Sequence, residues 1–439
     1  MRARLFIAGT AAALAAAVLA LGGALRHDNG AATAGDFLPT AVAEQLQRGF
    51  SAGDTQAEIA GLQAELKANR SNVKALETLG LAYLQRVRET GDASYYPKAD
   101  GILHEALAQE PHDLIATAGL GQLALARHQF RRALALGRQA KSISATTAGV
   151  YGVIGDASLE LGRYPAAFAA FDRMAAIKPS VSSYARVSYA RELLGRTRAA
   201  EQAMALAASA AVGEKEAYAW TRVQLGLLEL TTGRPRAALV QMRVALQSFP
   251  GYAFALDGTA QAQAALGRLQ TAVRYERAAV DRVPLPQYVG FLGDLEAAVG
   301  HHAAAQREYG LIGVIEKLLA ANGVRNDLDV ALFDVDHSRN LAHALRLARK
   351  GYAGRPSIFG DDVLGWALAR NGHCGEALGY SNRSLRLGTK DALKLFHRGW
   401  IAACLHRSAA ARSFYRRALA LNPHFSILWA PVARKGVTS

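Results

Sequence analysis

The sequence predicts an all-α fold, a right-handed superhelical α-solenoid of about ten helix–turn–helix repeats. Three observations predict it. Helix formers (Ala, Leu, Arg, Gln and Glu) dominate, and period-2 runs of β-branched residues are hard to find. Small residues recur every 33 to 39 positions, the mark of one helical hairpin stacked on the next. Most recurrences have a turn signal before them and a helix stop after them. Apolar residues make up 51% of the 439, enough for a continuous core, while Gly 41 and Pro 12 are too few for a collagen-like or disordered chain. Each unit of such a stack contacts only its neighbours, so the chain is read as one elongated body rather than about three globular domains.

The elements follow in order. Arg2 and Arg4 precede 21 uncharged residues, Leu5 to Leu25, and Arg26 closes the run. That length spans a bilayer as a helix, and its Ala-rich, moderately apolar character also suits a cleavable signal. Residues 1–34 are therefore expected to be a signal peptide or a retained membrane anchor. Ala32-Thr33-Ala34 or Gly22-Gly23-Ala24 would be the cleavage site, and there is no lipobox cysteine. The positive end stays inside, which places the rest outside the cytoplasmic membrane. Residues 35–72 read as a linker and an N-terminal capping helix. Within them Thr55 to Ala68 is amphipathic, with Ile59, Leu62 and Leu66 on one face.

The repeat array is expected over 73–424. Its marker is an alanine in the second helix of each unit: Ala133, Ala167, Ala200, Ala238, Ala272, Ala305, Ala344, Ala377 and Ala411. Five residues earlier a glycine supplies the turn in six units: Gly162, Gly195, Gly233, Gly267, Gly300 and Gly372. Twelve residues later a proline ends the second helix in five: Pro179, Pro250, Pro284, Pro356 and Pro423. Twelve residues before the alanine comes a small residue (Gly121, Gly155, Gly226, Gly293, Gly365, Gly399), and four after it often an aromatic or Met (Phe171, Met204, Met242, Tyr309, Tyr415). Residues 425–439 are expected to form a C-terminal cap and tail, with Ile427 to Val432 as a short cap that Pro431 keeps brief.

This set of small, Gly-turn, Ala, aromatic and Pro positions resembles the tetratricopeptide repeat over most of the chain. The clearest unit runs from Val73 through Gly80 and Tyr83 to Ala99, Ala106 and Pro111, with about seven extra residues, Arg88 to Tyr95, between its helices. The usual first-helix Trp is missing from most units. The 286–324 unit runs on through Gly310 to Asn322 with a longer second helix or loop, and the 325–357 unit lacks the turn glycine, with Arg339 or its neighbours there. The sequence also resembles exported or membrane-tethered bacterial tetratricopeptide proteins, in phrases such as Gly155-Asp156-Ala157, Arg186-Val187-Ser188-Tyr189 and Leu421-Asn422-Pro423-His424-Phe425. That resemblance implies a scaffold and names no partner.

The net charge of +15 comes mostly from Arg. Such an excess admits a nucleic-acid or anionic-surface binder working through an Arg-rich face. No basic run with interleaved aromatics appears, so a solvated basic face is the reading preferred and nucleic acid is not the expected partner. No phosphate-binding Gly-Lys-Ser loop, Gly-x-Ser-x-Gly elbow or His-Glu-x-x-His motif occurs, and the chain is read as a non-enzyme without cofactor. Asp334, Asp336 and His337 lie within four residues but point different ways, so a solvated face plus a cap is expected rather than a metal site. Cys374 and Cys404 fall at about the same height on antiparallel neighbouring helices. They could be unlinked (the reading preferred), disulfide-bonded, or zinc ligands with His373 and His406.

Function in such stacks is expected on the concave face, lined by first helices. The frame puts Asp156, Glu160, Glu192, Asp257, Asp294, Asp329, Asp336 and Asp362 there, with Tyr189, Trp220, Phe333, Trp366 and Trp400. Arg370 is the one basic residue among them. The expectation is an acidic, aromatic groove that takes an extended or helical basic segment of an unidentified protein partner.

Overall fold

The computed structural model describes residues 55–438. The predicted signal or anchor segment and the first part of the linker lie outside the described residues. Among the described residues there are 22 helices and no strand, and 79% of those residues are helical. Ten antiparallel hairpins, from Val73–Thr90 with Tyr95–Gln109 to Ala392–Cys404 with Ser408–Leu421, stack as an α-solenoid of tetratricopeptide type.

Each sequence marker has a local physical reason. All six turn glycines adopt φ between 69° and 90°, the left-handed conformation that closes a helix C-terminus. After Gly162 the chain doubles back, and Arg163 N–H donates to Ser158 O at 2.8 Å. His128 (φ 55°) and His406 (φ 57°) hold the same conformation where glycine is missing. In the 325–357 unit Ser338 does so (φ 55°), and Asn340 then caps Leu341–Gly354. The prolines at 179, 250, 284, 356 and 423 each stand two residues beyond the last helical residue. The small first-helix residues and the bulky second-helix residues prove to be one device. A Cβ on Gly226 would lie 2.6 Å from Met242 Cε, and one on Gly399 2.7 Å from the Tyr415 ring. Gly155 and Phe171, and Gly293 and Tyr309, mate in the same way, each pair 16 residues apart.

The helix Thr55–Ala68 buries Ile59, Leu62 and Leu66 against the first hairpin. At the other end the structure corrects the reading of Pro431. It lies in the first turn of a helix, Ala430–Thr438, where a missing N–H costs nothing, so it starts the element rather than limiting it.

Cys374, opening one helix, and Cys404, closing the next, form a disulfide with Cα atoms 6.2 Å apart. The bond closes a loop of 30 residues across two hairpins. Replacing both cysteines by serine should lower stability by about 3 kcal/mol on the loop-entropy scale. Urea unfolding with and without reductant checks this: reductant should shift the wild type to the variant's midpoint and leave the variant unmoved.

The solenoid's second superhelical turn lies directly against its first. Bonds cross between them at a nearly constant separation. Ile358 N–H donates to the Tyr164 hydroxyl at 2.6 Å, 194 residues away. Thr389 Oγ1 donates to Leu193 O across 196 residues, and Asn422 Nδ2 to Leu230 O across 192. Those carbonyls belong to the last turns of first helices, where the N–H four residues on no longer serves them. The odd 286–324 unit also serves this seam. Its second helix, His302–Ala321, has 20 residues where the preceding second helix has 14. The extension carries Leu319 and Val324 onto the core of the first hairpins. There Arg325 N–H donates to Arg127 O at 3.1 Å, and His128 Nδ1 lies 3.0 Å from Arg325 O. Burial, and then the neighbouring Arg355 charge, push His128 down to about 3, so its ring is neutral in the seam.

Candidate functional site

A cleft of about 810 Å³, counting its open mouth, lies where the two superhelical turns meet. The first turn contributes the C-terminal ends of the helices Ala148–Glu160 and Val181–Leu193, which present Glu160, Tyr189 and Glu192. The second turn contributes the segment entering the helix Ile358–Arg370 and the start of Ala392–Cys404. Three of the residues predicted for the groove therefore share one cavity.

The charges there are mostly answered. Arg355 meets Glu160 with Nε–Oε2 2.6 Å and Nη2–Oε1 2.9 Å, both side chains buried, and its guanidinium lies 4.4 Å from the Phe359 ring centre. Asp391 caps the helix Ala392–Cys404, accepting from the N–H of Leu393 and Lys394 and from Lys394 Nζ at 3.0 Å. Burial works against the Asp391 charge, but the Lys394 ammonium and backbone bonds outweigh it and hold the carboxyl below its usual range. Glu192 differs. Its carboxylate makes no hydrogen bond and no ion pair within 4 Å among the described residues. Burial, and then the Asp391 charge, push it up to about 7, with Lys394 opposing.

The other predicted groove residues lie elsewhere, and the picture of a row of open acids needs correcting. Asp156 pairs with the buried Arg186 at 2.7 Å. Asp294 accepts from the Tyr309 hydroxyl and faces His337 Nε2, both at 2.8 Å. Asp362 meets His397 at 3.1 Å, and Asp257 accepts from Gln261 at 2.8 Å. Asp336, expected on a solvated face with His337, is buried and accepts from the indoles of Trp366 at 2.7 Å and Trp429 at 3.0 Å. Asp329 is buried 4.0 Å from Arg355, and burial pushes it up to about 6. Trp220, Phe333 and Trp366 are core residues, while Trp400 is half-buried edge-on to Trp366. The physical reason is the tight superhelix: successive first helices approach closely, and a bare carboxylate there must find a donor on the next repeat. Sequence reasoning missed those donors. The offsets of 30 residues from Asp156 to Arg186 and from Asp336 to Trp366, and 35 from Asp362 to His397, are the signal that was present. Each is near one repeat.

Asp334 lies 3.8 Å from Arg339, and among the described residues no group of three or more His, Cys, Asp or Glu is placed to hold a metal.

One buried acid has a pH consequence. Glu276 is fully buried in the second helix of its hairpin, close to Asp257, and burial followed by that neighbouring carboxylate pushes it well above its usual range. A group that holds its proton in the folded state and releases it when unfolded costs stability as pH rises. Stability from this group should be full below about pH 4.3, the ordinary Glu value, and fall through neutral pH. Glu276→Gln should flatten that slope and raise Tm at pH 8 while leaving it nearly unchanged at pH 4. Thermal unfolding across pH 4–8 measures it, and equal slopes for both proteins would exclude Glu276 as the source.

No protein-family model and no curated protein matches the sequence. Solved structures share the helical-repeat fold. Human IFIT1, a dimer with PPP-AAAA, aligns at 14% identity over 88% of this chain and 91% of its own, with a TM-score of 0.47. A tetratricopeptide repeat protein from Parabacteroides merdae aligns at 16% identity over 59% of this chain and 97% of its own, TM-score 0.34. YrrB, described as a TPR protein with an unusual peptide-binding site, aligns at 19% identity over 42% of this chain and 92% of its own, TM-score 0.29. At such identities the likeness concerns the fold alone.

Proposed function

We propose that the chain is a non-catalytic scaffold that holds a basic peptide or helical segment of a partner protein along its concave face, on the outer side of the cytoplasmic membrane. The observation that carries the reading is the charge of that face. A chain of +15 places eight carboxylates (Asp156, Glu160, Glu192, Asp257, Asp294, Asp329, Asp336 and Asp362) on inward first-helix positions, against Arg186, Arg355, Arg370 and Lys394. Carboxylates outnumber cations at these first-helix positions, which would favour a cationic partner over an anionic one. Its open part is the seam cleft, walled by Tyr164, Tyr189 and Phe425.

The location is supported by two independent features. The apolar run flanked by Arg2, Arg4 and Arg26 suits export or anchoring of residues 1–34. The Cys374–Cys404 disulfide suits an oxidising compartment. Among the described residues no helix is long and apolar enough to cross a membrane.

A peptide array of 12-residue segments, spanning net charge from −4 to +4, tests the reading on the purified chain. Basic segments containing aromatic or leucine residues should bind, and acidic ones should not. Preference for acidic segments, or binding of single-stranded RNA in place of peptides with a steep salt dependence, would overturn it in favour of an anionic ligand on the Arg-rich outer surface. Cell fractionation decides between a released and a membrane-retained form.

A further inference from the structure

The geometry points to Glu192 as the anchor of a seat for one cationic side chain, a lysine or arginine of the bound segment, in the cleft between the superhelical turns. This rests on the reading of the chain as a peptide scaffold and adds which residue selects what.

The argument is one of unequal pairing. Three carboxylates line the cleft: Glu160, Glu192 and Asp391. Glu160 is held by two bonds from Arg355, and Asp391 by two backbone N–H groups and Lys394. Both are neutralised within the fold. Glu192 stands between them with neither a hydrogen bond nor an ion pair among the described residues. Glu192 is half-buried, and a carboxylate partly withdrawn from water gains when an opposite charge or a donor reaches it. The walls supply what the stem of such a cation requires. Leu159, Leu193 and Leu393 give apolar surface, and the Tyr189 ring gives a flat face for a guanidinium or methylene chain. Of the three carboxylates Glu192 is the one without a partner among the described residues, so it is the one an entering cation meets; the exposed Lys390 and the buried Lys394, paired with Asp391, line the same cleft.

Occupation should couple to protons. The groups facing Glu192 are Tyr189 on its own helix, Glu160 and Tyr164 from the neighbouring hairpin, Arg355 from the second turn, and Lys390, Asp391 and Lys394 at the start of Ala392–Cys404. Among the described residues no histidine lines the cleft. With Glu192 near 7 in the empty state, a cation binds the ionised form and displaces a proton. Affinity should then rise on the order of tenfold from pH 6 to pH 8.

The test titrates the purified full chain with Nα-acetyl-arginine methylamide and Nα-acetyl-lysine methylamide by NMR, at pH 6, 7 and 8. The citrulline and norleucine counterparts, which keep shape and lose charge, serve as controls. The cationic probes should bind at least tenfold tighter than the neutral ones, and more tightly at pH 8. Glu192→Gln, checked for unchanged Tm, should remove both the preference and the pH dependence. Equal binding of arginine and citrulline probes to the wild type overturns the seat, whatever the variant does. A fluorescein-labelled arginine-rich 12-residue peptide separates the two ideas. If it binds wild type and Glu192→Gln alike, the scaffold stands and the seat falls. If it does not bind while the arginine probe still requires Glu192, the seat stands and the scaffold reading falls.

Discussion

Replacing Arg355 by methionine should destabilise the protein by about 3–5 kcal/mol, because it strands the buried Glu160 carboxylate between the superhelical turns. Both side chains are about 5% exposed, and two short bonds join them across 195 residues. The same guanidinium lies 4.0 Å from Asp329 and against the rings of Phe130 and Phe359, so one substitution removes the cation from two acids and two aromatic faces. The double variant Glu160→Leu with Arg355→Met should recover much of the loss, since an apolar pair replaces the charges without leaving one unanswered. Urea unfolding gives the energies, and small-angle scattering reads the second effect: the single variant should show a larger radius of gyration as the turns part. A single variant as stable as the wild type would mean the pair contributes nothing to closure.

Trp366→Ala should cost a similar amount, about 3–5 kcal/mol, through the cavity left by a fully buried indole. Trp366 is the centre of the C-terminal core. Its ring stacks on His397 at 4.3 Å and meets Trp400 and Trp429 edge-on at 5.5 Å each. The Arg370 guanidinium lies 5.2 Å from it, and its N–H is one of two indole donors to Asp336. Trp366→Phe keeps most of the apolar volume and loses only that donor, so it should cost about 1–3 kcal/mol. Thermal unfolding ranks the variants, and near-ultraviolet circular dichroism reports the loss of the packed indole cluster. If phenylalanine proved as damaging as alanine, the bond to Asp336 rather than packing would hold this core.

What the sequence made legible was whatever one repeat demands of itself. A left-handed turn calls for Gly162 or Gly372, a helix stop calls for Pro179, and a pocket for Phe171 calls for Gly155. Each demand recurs at the hairpin period, so it stands out. The features that were not legible join residues about 194 apart, and nothing recurs at that distance. Arg355 looks like an ordinary residue before a proline until Glu160 is opposite it. His128 and His406 hold the turn without the residue that announces it. The predicted acidic face took the carboxylates to be open, and most of them have partners within the fold. Asp156, Asp294 and Asp336 are answered from the following repeats, and only the end-of-helix residues Glu160, Tyr189 and Glu192 reach the cleft. A one-dimensional pattern cannot say how tightly a solenoid coils, and that coiling decides which inward residues see solvent.

The seam also changes how this chain tolerates editing. An open solenoid can lose a whole repeat and close up, since each unit needs only its two neighbours. Here the loops at Tyr164, Leu193 and Leu230 are matched to partners at Ile358, Thr389 and Asn422, one after another. Excising a single hairpin between them would slide every later partner along by one unit and present each first-turn loop with the wrong neighbour. The number of hairpins is therefore fixed much as the length of a zipper is, by what lies on the other side rather than by what comes next along the thread.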